Sequence, residues 1–129
     1  MSYYHAKTLK GLSFEEAVEK TKVALKTQGF GVLSEIDIQG TLKEKIGVDF
    51  RKYRILGACN PGFAHKALSA EDKIGVFLPC NVIVQELANG DIEVAAVDPV
   101  ASMVSVKNPA LESIASEVQS KIATAVAAI

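Results

Sequence analysis

Residues 82–97 read Val-Ile-Val-Gln-Glu-Leu-Ala-Asn-Gly-Asp-Ile-Glu-Val-Ala-Ala-Val, and this stretch decides the fold. Its centre, Asn89-Gly90, favours the tight turns of β-hairpins because both residues tolerate positive φ. The flanking residues are rich in Val and Ile, a composition typical of strands. The stretch therefore predicts an antiparallel pair of strands over residues 82–87 and 92–97.

Two helices outside this hairpin begin at recognisable capping residues. Ser13, followed by Glu16 three residues later, forms a capping box and predicts a helix over residues 14–28. Asn108-Pro109 resembles an N-cap with proline at the first helical position, and predicts a last helix. The apolar residues of that helix recur at helical spacing as far as Ile129, so we expect it to pack along its whole length.

Shorter patterns predict the remaining elements. Strands are expected over residues 3–8, 30–36, 51–59 and 73–78, helices over 38–46 and 60–71, and an extended piece over 103–106. In the helix at 60–71, Ala64, Ala67 and Leu68 are expected to face the core. Strands mixed with helices, with at least one tight hairpin, indicate an α+β fold: a mainly antiparallel sheet covered on one face by helices, in a single domain over residues 1–129.

Composition narrows the classes of function. The chain of 129 residues has a formal net charge of −1 and no cluster of Lys or Arg, so we do not expect it to bind nucleic acid. No apolar run approaches the roughly 18 residues of a membrane span, and the N-terminus does not resemble a secretory signal. We therefore expect a soluble cytoplasmic protein without a membrane partner, whose two cysteines stay reduced.

Both cysteines occur in similar surroundings. Cys59-Asn60-Pro61 ends the stretch that begins at Ile55, and Cys80-Asn81 follows Leu78-Pro79. If the helix at 60–71 is a crossover between two neighbouring strands, those strands run parallel. Counting residues along each strand then places Cys59 and Cys80 level at one edge of the sheet.

The stretch from Leu56 to Pro61, together with Leu78-Pro79-Cys80-Asn81-Val82 and the Asp98-Pro99 step, closely resembles the DUF302 family of small bacterial and archaeal proteins. The resemblance extends over nearly the whole chain. It implies a TBP-like or related α+β layer structure that associates as a homodimer. The family name records an unknown function, so the resemblance implies no reaction.

Several roles are open for the two cysteines. Cys59 precedes a predicted helix N-terminus, which lowers a thiol pKa, so Cys59 is the better nucleophile and Cys80 would be the resolving thiol of a redox or sulfur-handling pair. Alternatively, Cys59, His65 and Cys80 could bind a soft metal such as zinc, with a fourth ligand from Glu71, Asp98 or a partner. A third interpretation is that both cysteines are buried packing residues.

The residues beside the cysteines complete the candidate site. Asn60 and Pro61 favour a helix start, and Asn81 could satisfy a backbone group or donate a hydrogen bond to an anionic ligand. Asp98 is typical of a turn, and near a cysteine cleft it could act as a general base.

Three functions remain as alternatives, and none assigns a reaction. The first is a binding module with an apolar pocket for a small molecule, whose mouth carries Cys59 and Cys80. The second is a thiol-dependent enzyme or sulfur carrier. The third is an assembly protein that uses the apolar stripe ending at Ile129 for dimer packing.

Overall fold

The structure, a computed structural model, describes residues 2–129. Its five strands are β1 Tyr4–Leu9, β2 Gly31–Asp37, β3 Tyr53–Cys59, β4 Cys80–Glu86 and β5 Ile92–Val97. Its α-helices are α1 Phe14–Thr27, α2 Ile38–Ile46, α3 Pro61–Ala70, α4 Pro99–Ser102 and α5 Pro109–Ala127, and a 3₁₀ helix covers Asp72–Phe77. The predicted α+β class and the long C-terminal helix are confirmed.

The strands form one sheet in the order β1-β5-β4-β3-β2. All four neighbouring pairs are antiparallel. The predicted hairpin is present: Val84 pairs with Val94, and the Leu87 amide donates to the Asp91 carbonyl at 2.8 Å. Gly90 has a φ of 91°, a backbone conformation in which a side chain would be strained.

One face of the sheet packs against helices and forms the main core. Alternate residues of β3, β4 and β5 are buried there because successive side chains of a strand point to opposite faces. The main core contains, from these three strands, Leu56, Ala58, Cys80, Val82, Val84, Ile92, Val94 and Ala96. Helices α1 and α5 contribute the opposite wall, and the capping box of Ser13 and Glu16 at the start of α1 is present.

Helix α5 packs on the core of its own chain. Its buried residues recur along the helix as Leu111, Ala115, Val118, Ile122, Ala125 and Val126. The Lys7 ammonium donates to the main-chain oxygens of Ala127 and Ile129 at 2.9 and 2.7 Å, which holds the end of the helix against β1. The apolar stripe is therefore used inside the chain and is not a free surface for dimer packing.

Two predicted extended pieces and one predicted core residue were wrong. Residues 73–78 do not form a strand, because the chain turns there in the 3₁₀ helix. Residues 103–106 form turns after α4. On α3, Ala67 is buried as expected, but Leu68 is 43% exposed.

The predicted crossover between β3 and β4 was also wrong, since the two strands run antiparallel. Helix α3 leads away from the end of β3, and the 3₁₀ helix brings the chain back to the same end of the sheet, where β4 begins. A connection that returns to the end it left joins antiparallel strands.

Candidate functional site

The two cysteines lie at one end of the sheet, where β3 ends and β4 begins. Ala58 pairs with Cys80, and Cys59 follows Ala58 directly. Paired residues on neighbouring antiparallel strands have Cα atoms about 5 Å apart, so the two cysteines are near neighbours. Both are free thiols. The two cysteines therefore meet at one end of the sheet, as predicted, but the strands that carry them pair antiparallel and not parallel.

Burial makes Cys80 a poor source of thiolate. Its pKa rises from an ordinary 9.0 to about 11, first because burial penalises the charged form and second because a charge on nearby Cys59 would repel it. At neutral pH the Cys80 side chain is therefore a protonated thiol in the main core, where it behaves as a small apolar group. Cys59 is half-buried.

Asn60 joins the start of α3 to the end of α1. Its side-chain oxygen accepts from the Phe63 amide at 3.4 Å, which confirms the predicted N-cap, and its amide donates to the Gln28 carbonyl at 3.4 Å. Gly29 leaves the room for this contact: a Cβ there would lie 2.9 Å from the Asn60 amide nitrogen. Both ends of the Asn60 amide therefore have partners within the fold.

Gly57 allows the segment before β4 to lie close against β3. A Cβ on Gly57 would lie 2.8 Å from Cγ of Pro79 and would collide with the Ser34 hydroxyl. The Leu78-Pro79 peptide bond is cis. A residue without a side chain at position 57 therefore makes room for Pro79 at the edge of the site.

A pocket of about 310 Å³ opens beside the cysteines, between α3, α5 and this end of the sheet. The residues that line it are Phe30, Leu33, Ala58, Cys59, Asn60, Phe63, Ala64, Ala67, Leu68, Leu78, Pro79, Cys80, Pro99, Met103, Leu111, Ile114, Ala115 and Val118. Among residues 2–129, Asn60 contributes the one side-chain amide of the wall, and no charged residue lines it. Its volume lies at the lower end of the range for pockets that hold small molecules.

The structure brings together some of the candidate residues and separates others. Cys59, Asn60 and Cys80 line the pocket, whereas Pro61 and His65 are exposed on α3 and do not line it. Asn81 is also exposed, and it lines a groove with Tyr53 and Ile83.

The side chains that the structure describes form no ready metal centre. Within residues 2–129, no group of three or more His, Cys, Asp or Glu side chains lies close enough together to hold a metal ion. The set of Cys59, His65 and Cys80 is therefore not assembled in this conformation, and zinc binding stays a prediction without support from the side-chain positions.

Asp98 has a structural role at the start of α4. Its carboxylate accepts from the Val100 amide at 2.9 Å and from the side-chain amide of Gln119 at 2.8 Å. Nε2 of His5 lies 3.8 Å from the same carboxylate. Because Asp98 does not line the pocket, the turn interpretation accounts for it better than a general base does.

Sequence reasoning missed most of the pocket wall. Phe30 and Val118 were each assigned to a strand or helix but not to the site, and Met103 fell in a piece expected to be extended. The available signal was the apolar character of α3 and α5. This signal cannot separate a residue that lines a cavity from one that fills a core.

Comparisons with known proteins agree with this architecture. The family model described as "Domain of unknown function DUF302" matches residues 5–129. The chain belongs to the DUF302 family. A crystal structure of an uncharacterised conserved DUF302 protein from Bacillus stearothermophilus is 29% identical in sequence, covers 99% of this chain and 98% of its own, and superimposes with a TM-score of 0.91. No curated protein matches this DUF302 chain significantly. Within residues 2–129 of this DUF302 domain, no helix combines the length and apolar composition required to cross a membrane.

Proposed function

We propose that this DUF302 domain is a binding module that takes a small apolar molecule into the pocket beside Cys59 and Cys80. The observation that carries the proposal is a cavity of about 310 Å³ whose wall is almost entirely apolar. Folded domains seldom keep such a cavity without a use, since unfilled apolar space forfeits packing contacts.

The chemistry of the wall indicates how the ligand would be held. No charged side chain of the described part of the chain faces the pocket, Cys80 is protonated at neutral pH, and both ends of the Asn60 amide are engaged. Binding would rest on burial of apolar surface, at about 25 cal/mol per Å². A ligand that buries on the order of 200 Å² would gain about 5 kcal/mol before the cost of association.

Fluorescence titration with N-phenylnaphthylamine, an uncharged apolar dye, tests the proposal. Ala64→Phe places a ring in the pocket from α3, and we expect it to weaken dye binding by about tenfold or more, equivalent to about 1.4 kcal/mol. The matched control is Ala88→Phe, the same change at an exposed position of the β4–β5 hairpin, which should bind as the unmodified chain does. Equal binding by a folded Ala64→Phe variant would refute the proposal.

A second measurement does not depend on any variant. In NMR spectra of the unmodified chain, the dye should shift the amide signals of residues such as Phe63 and Val118, and leave the hairpin residue Asn89 unchanged. Shifts spread evenly over the surface, or no shifts at all, would contradict binding in the pocket.

A thiol-based redox or sulfur-handling function is the alternative. It is supported by the observation that both thiols line one pocket. Cys59 would be the attacking thiol and Cys80 the resolving one. The raised pKa of Cys80 opposes this function, because a protonated thiol attacks slowly. We therefore rank the thiol-based function second.

We also propose that the domain works in a reducing, cytoplasmic setting, in which free thiols persist.

For the oligomeric state, we propose a homodimer in which a second copy covers the face of the sheet turned away from the core. Pairing aligns an apolar row across all five strands of that face: Ile36, Ile55, Ile83, Ala95 and Ala6. Five strands at about 4.8 Å spacing and about 20 Å length present roughly 500 Å² in projection. That footprint is of the order needed by a small specific interface.

Sedimentation equilibrium tests the dimer. Ile83→Lys places a charge in the middle of the apolar row, and we expect it to yield monomers because burying an unpaired charge is costly. Val23→Lys makes the same kind of change at an exposed position of α1 and should leave the dimer intact. A monomeric unmodified chain, or dimers of Ile83→Lys, would overturn this assignment.

A further inference from the structure

A second space adjoins the apolar pocket and differs from it in polarity. This outer groove, of about 490 Å³, has a lining that includes Met103, Lys107, Asn108, Leu111, Glu112 and Ala115. Met103, Leu111 and Ala115 also line the pocket, so the two spaces share one wall. Met103 is unbranched and only partly buried, and such side chains readily change rotamer.

The outer groove carries one positive and one negative side chain. Lys107 and Glu112 are both exposed, and neither forms a salt bridge with any residue between 2 and 129. Asn108 is already engaged, since it caps α5 and donates to the Ala70 carbonyl at 3.0 Å. Lys107 and Glu112 are therefore the charged groups of the groove, and both remain available to a ligand.

We propose that the ligand is amphipathic, with an apolar chain in the pocket and a zwitterionic head group in the outer groove. This inference rests on the proposed function and adds the class of ligand. Lys107 would attract the anionic part of the head group, such as a phosphate, and Glu112 its cationic part, such as a quaternary ammonium. The apolar chain would pass Met103, because that residue lies in the wall common to both spaces.

Four compounds with the same decyl chain test this inference: decylphosphocholine, decanoate, decyltrimethylammonium and decanol. Each is titrated as a competitor of N-phenylnaphthylamine, with decanol kept below its solubility limit and the other three compounds below their micelle concentrations. We expect decylphosphocholine to bind most tightly. Lys107→Gln and Glu112→Gln should each weaken it by about two- to fivefold, as measured for exposed ion pairs, and leave decanol unchanged. Lys45→Gln, at an exposed position of α2, is the matched control for charge removal.

The outcomes separate this inference from the proposed function. Equal binding of all four compounds, or tightest binding of decanoate with an effect of Lys107→Gln alone, would overturn the zwitterionic head group and leave the apolar pocket in place. Dye binding without displacement by any decyl compound would overturn the amphipathic ligand alone. Failure of the dye itself to bind would overturn both.

Discussion

Cys80 should react far more slowly with thiol reagents in the folded chain than in the unfolded chain. Its pKa is raised from 9.0 to about 11 by burial, with a smaller contribution from Cys59. A rise of two units lowers the thiolate fraction at neutral pH about a hundredfold, and the thiolate is the reactive form. Restricted access to a side chain in the core would slow the reaction further.

Alkylation by iodoacetamide, followed by mass spectrometry, measures this rate at Cys80. The Cys59→Ser variant isolates Cys80, and because burial is the larger cause of the shift, the slow reaction should persist there. We expect the rate in the folded chain to keep rising up to about pH 11, whereas the rate in urea should level off near pH 9. A folded-state rate within about tenfold of the unfolded rate at neutral pH would refute the argument from burial.

The same shift predicts how stability depends on pH. The unfolded chain releases the Cys80 proton at lower pH than the folded chain does, so rising pH favours unfolding between about pH 9 and 11. The loss attributable to Cys80 has an upper limit of about 3 kcal/mol. Urea unfolding of the unmodified chain and of Cys80→Ala at pH 8 and pH 11 measures it as a difference. Parallel loss of stability in both proteins would contradict the assignment to Cys80.

Four substitutions, and one control variant, test the fold around the site by urea unfolding. Gly57→Ala should lower the free energy of unfolding by about 1–3 kcal/mol, because no space is free for its Cβ. Gly31→Ala is the control and should lower it far less, because a Cβ there would have no atom within 4 Å. Similar losses in the two variants would contradict the packing at position 57. Ile122→Ala should cost about 2–5 kcal/mol because the side chain is fully buried, and a loss below about 1 kcal/mol would argue against its place in the core. Asn60→Ala should cost about 1 kcal/mol through loss of the α3 cap, and an unchanged midpoint would show that the cap contributes nothing. Arg54→Met should lower the free energy of unfolding by no more than about 1 kcal/mol, and by less in high salt, because the carboxylates that pair with Arg54 are exposed. A larger loss that does not depend on salt would point to another role for Arg54.

Sequence patterns predicted best where the deciding interactions are local. The capping box of Ser13 and Glu16, the Asn60 cap and the Asn89-Gly90 turn each depend on residues within a few positions of one another. Such interactions form in the same way whatever surrounds them, so the sequence is enough to identify them. The resemblance to the DUF302 family rested on the stretches around the two cysteines, and the family model confirms it over residues 5–129.

The errors arose where distant segments decide the outcome. Residues 73–78 include β-forming side chains, yet the chain turns there in a 3₁₀ helix within the connection that returns from β3 to β4 at the same end of the sheet. Likewise, Leu68 was expected in the core because its spacing on α3 is helical. It lies at the pocket instead, because no element covers it.

The sequence by itself determined the α+β class, the helix starts, the hairpin and the family, because these follow from short-range backbone preferences and hydrophobic periodicity. Only the tertiary structure decided the direction of β4 relative to β3, the use of the α5 stripe within the chain, and the apolar pocket with its charged outer groove. A cavity is space left between surfaces that come from separate parts of the chain, here α3, α5 and the ends of three strands. Its existence depends on how those surfaces fit together, which no single stretch of residues encodes.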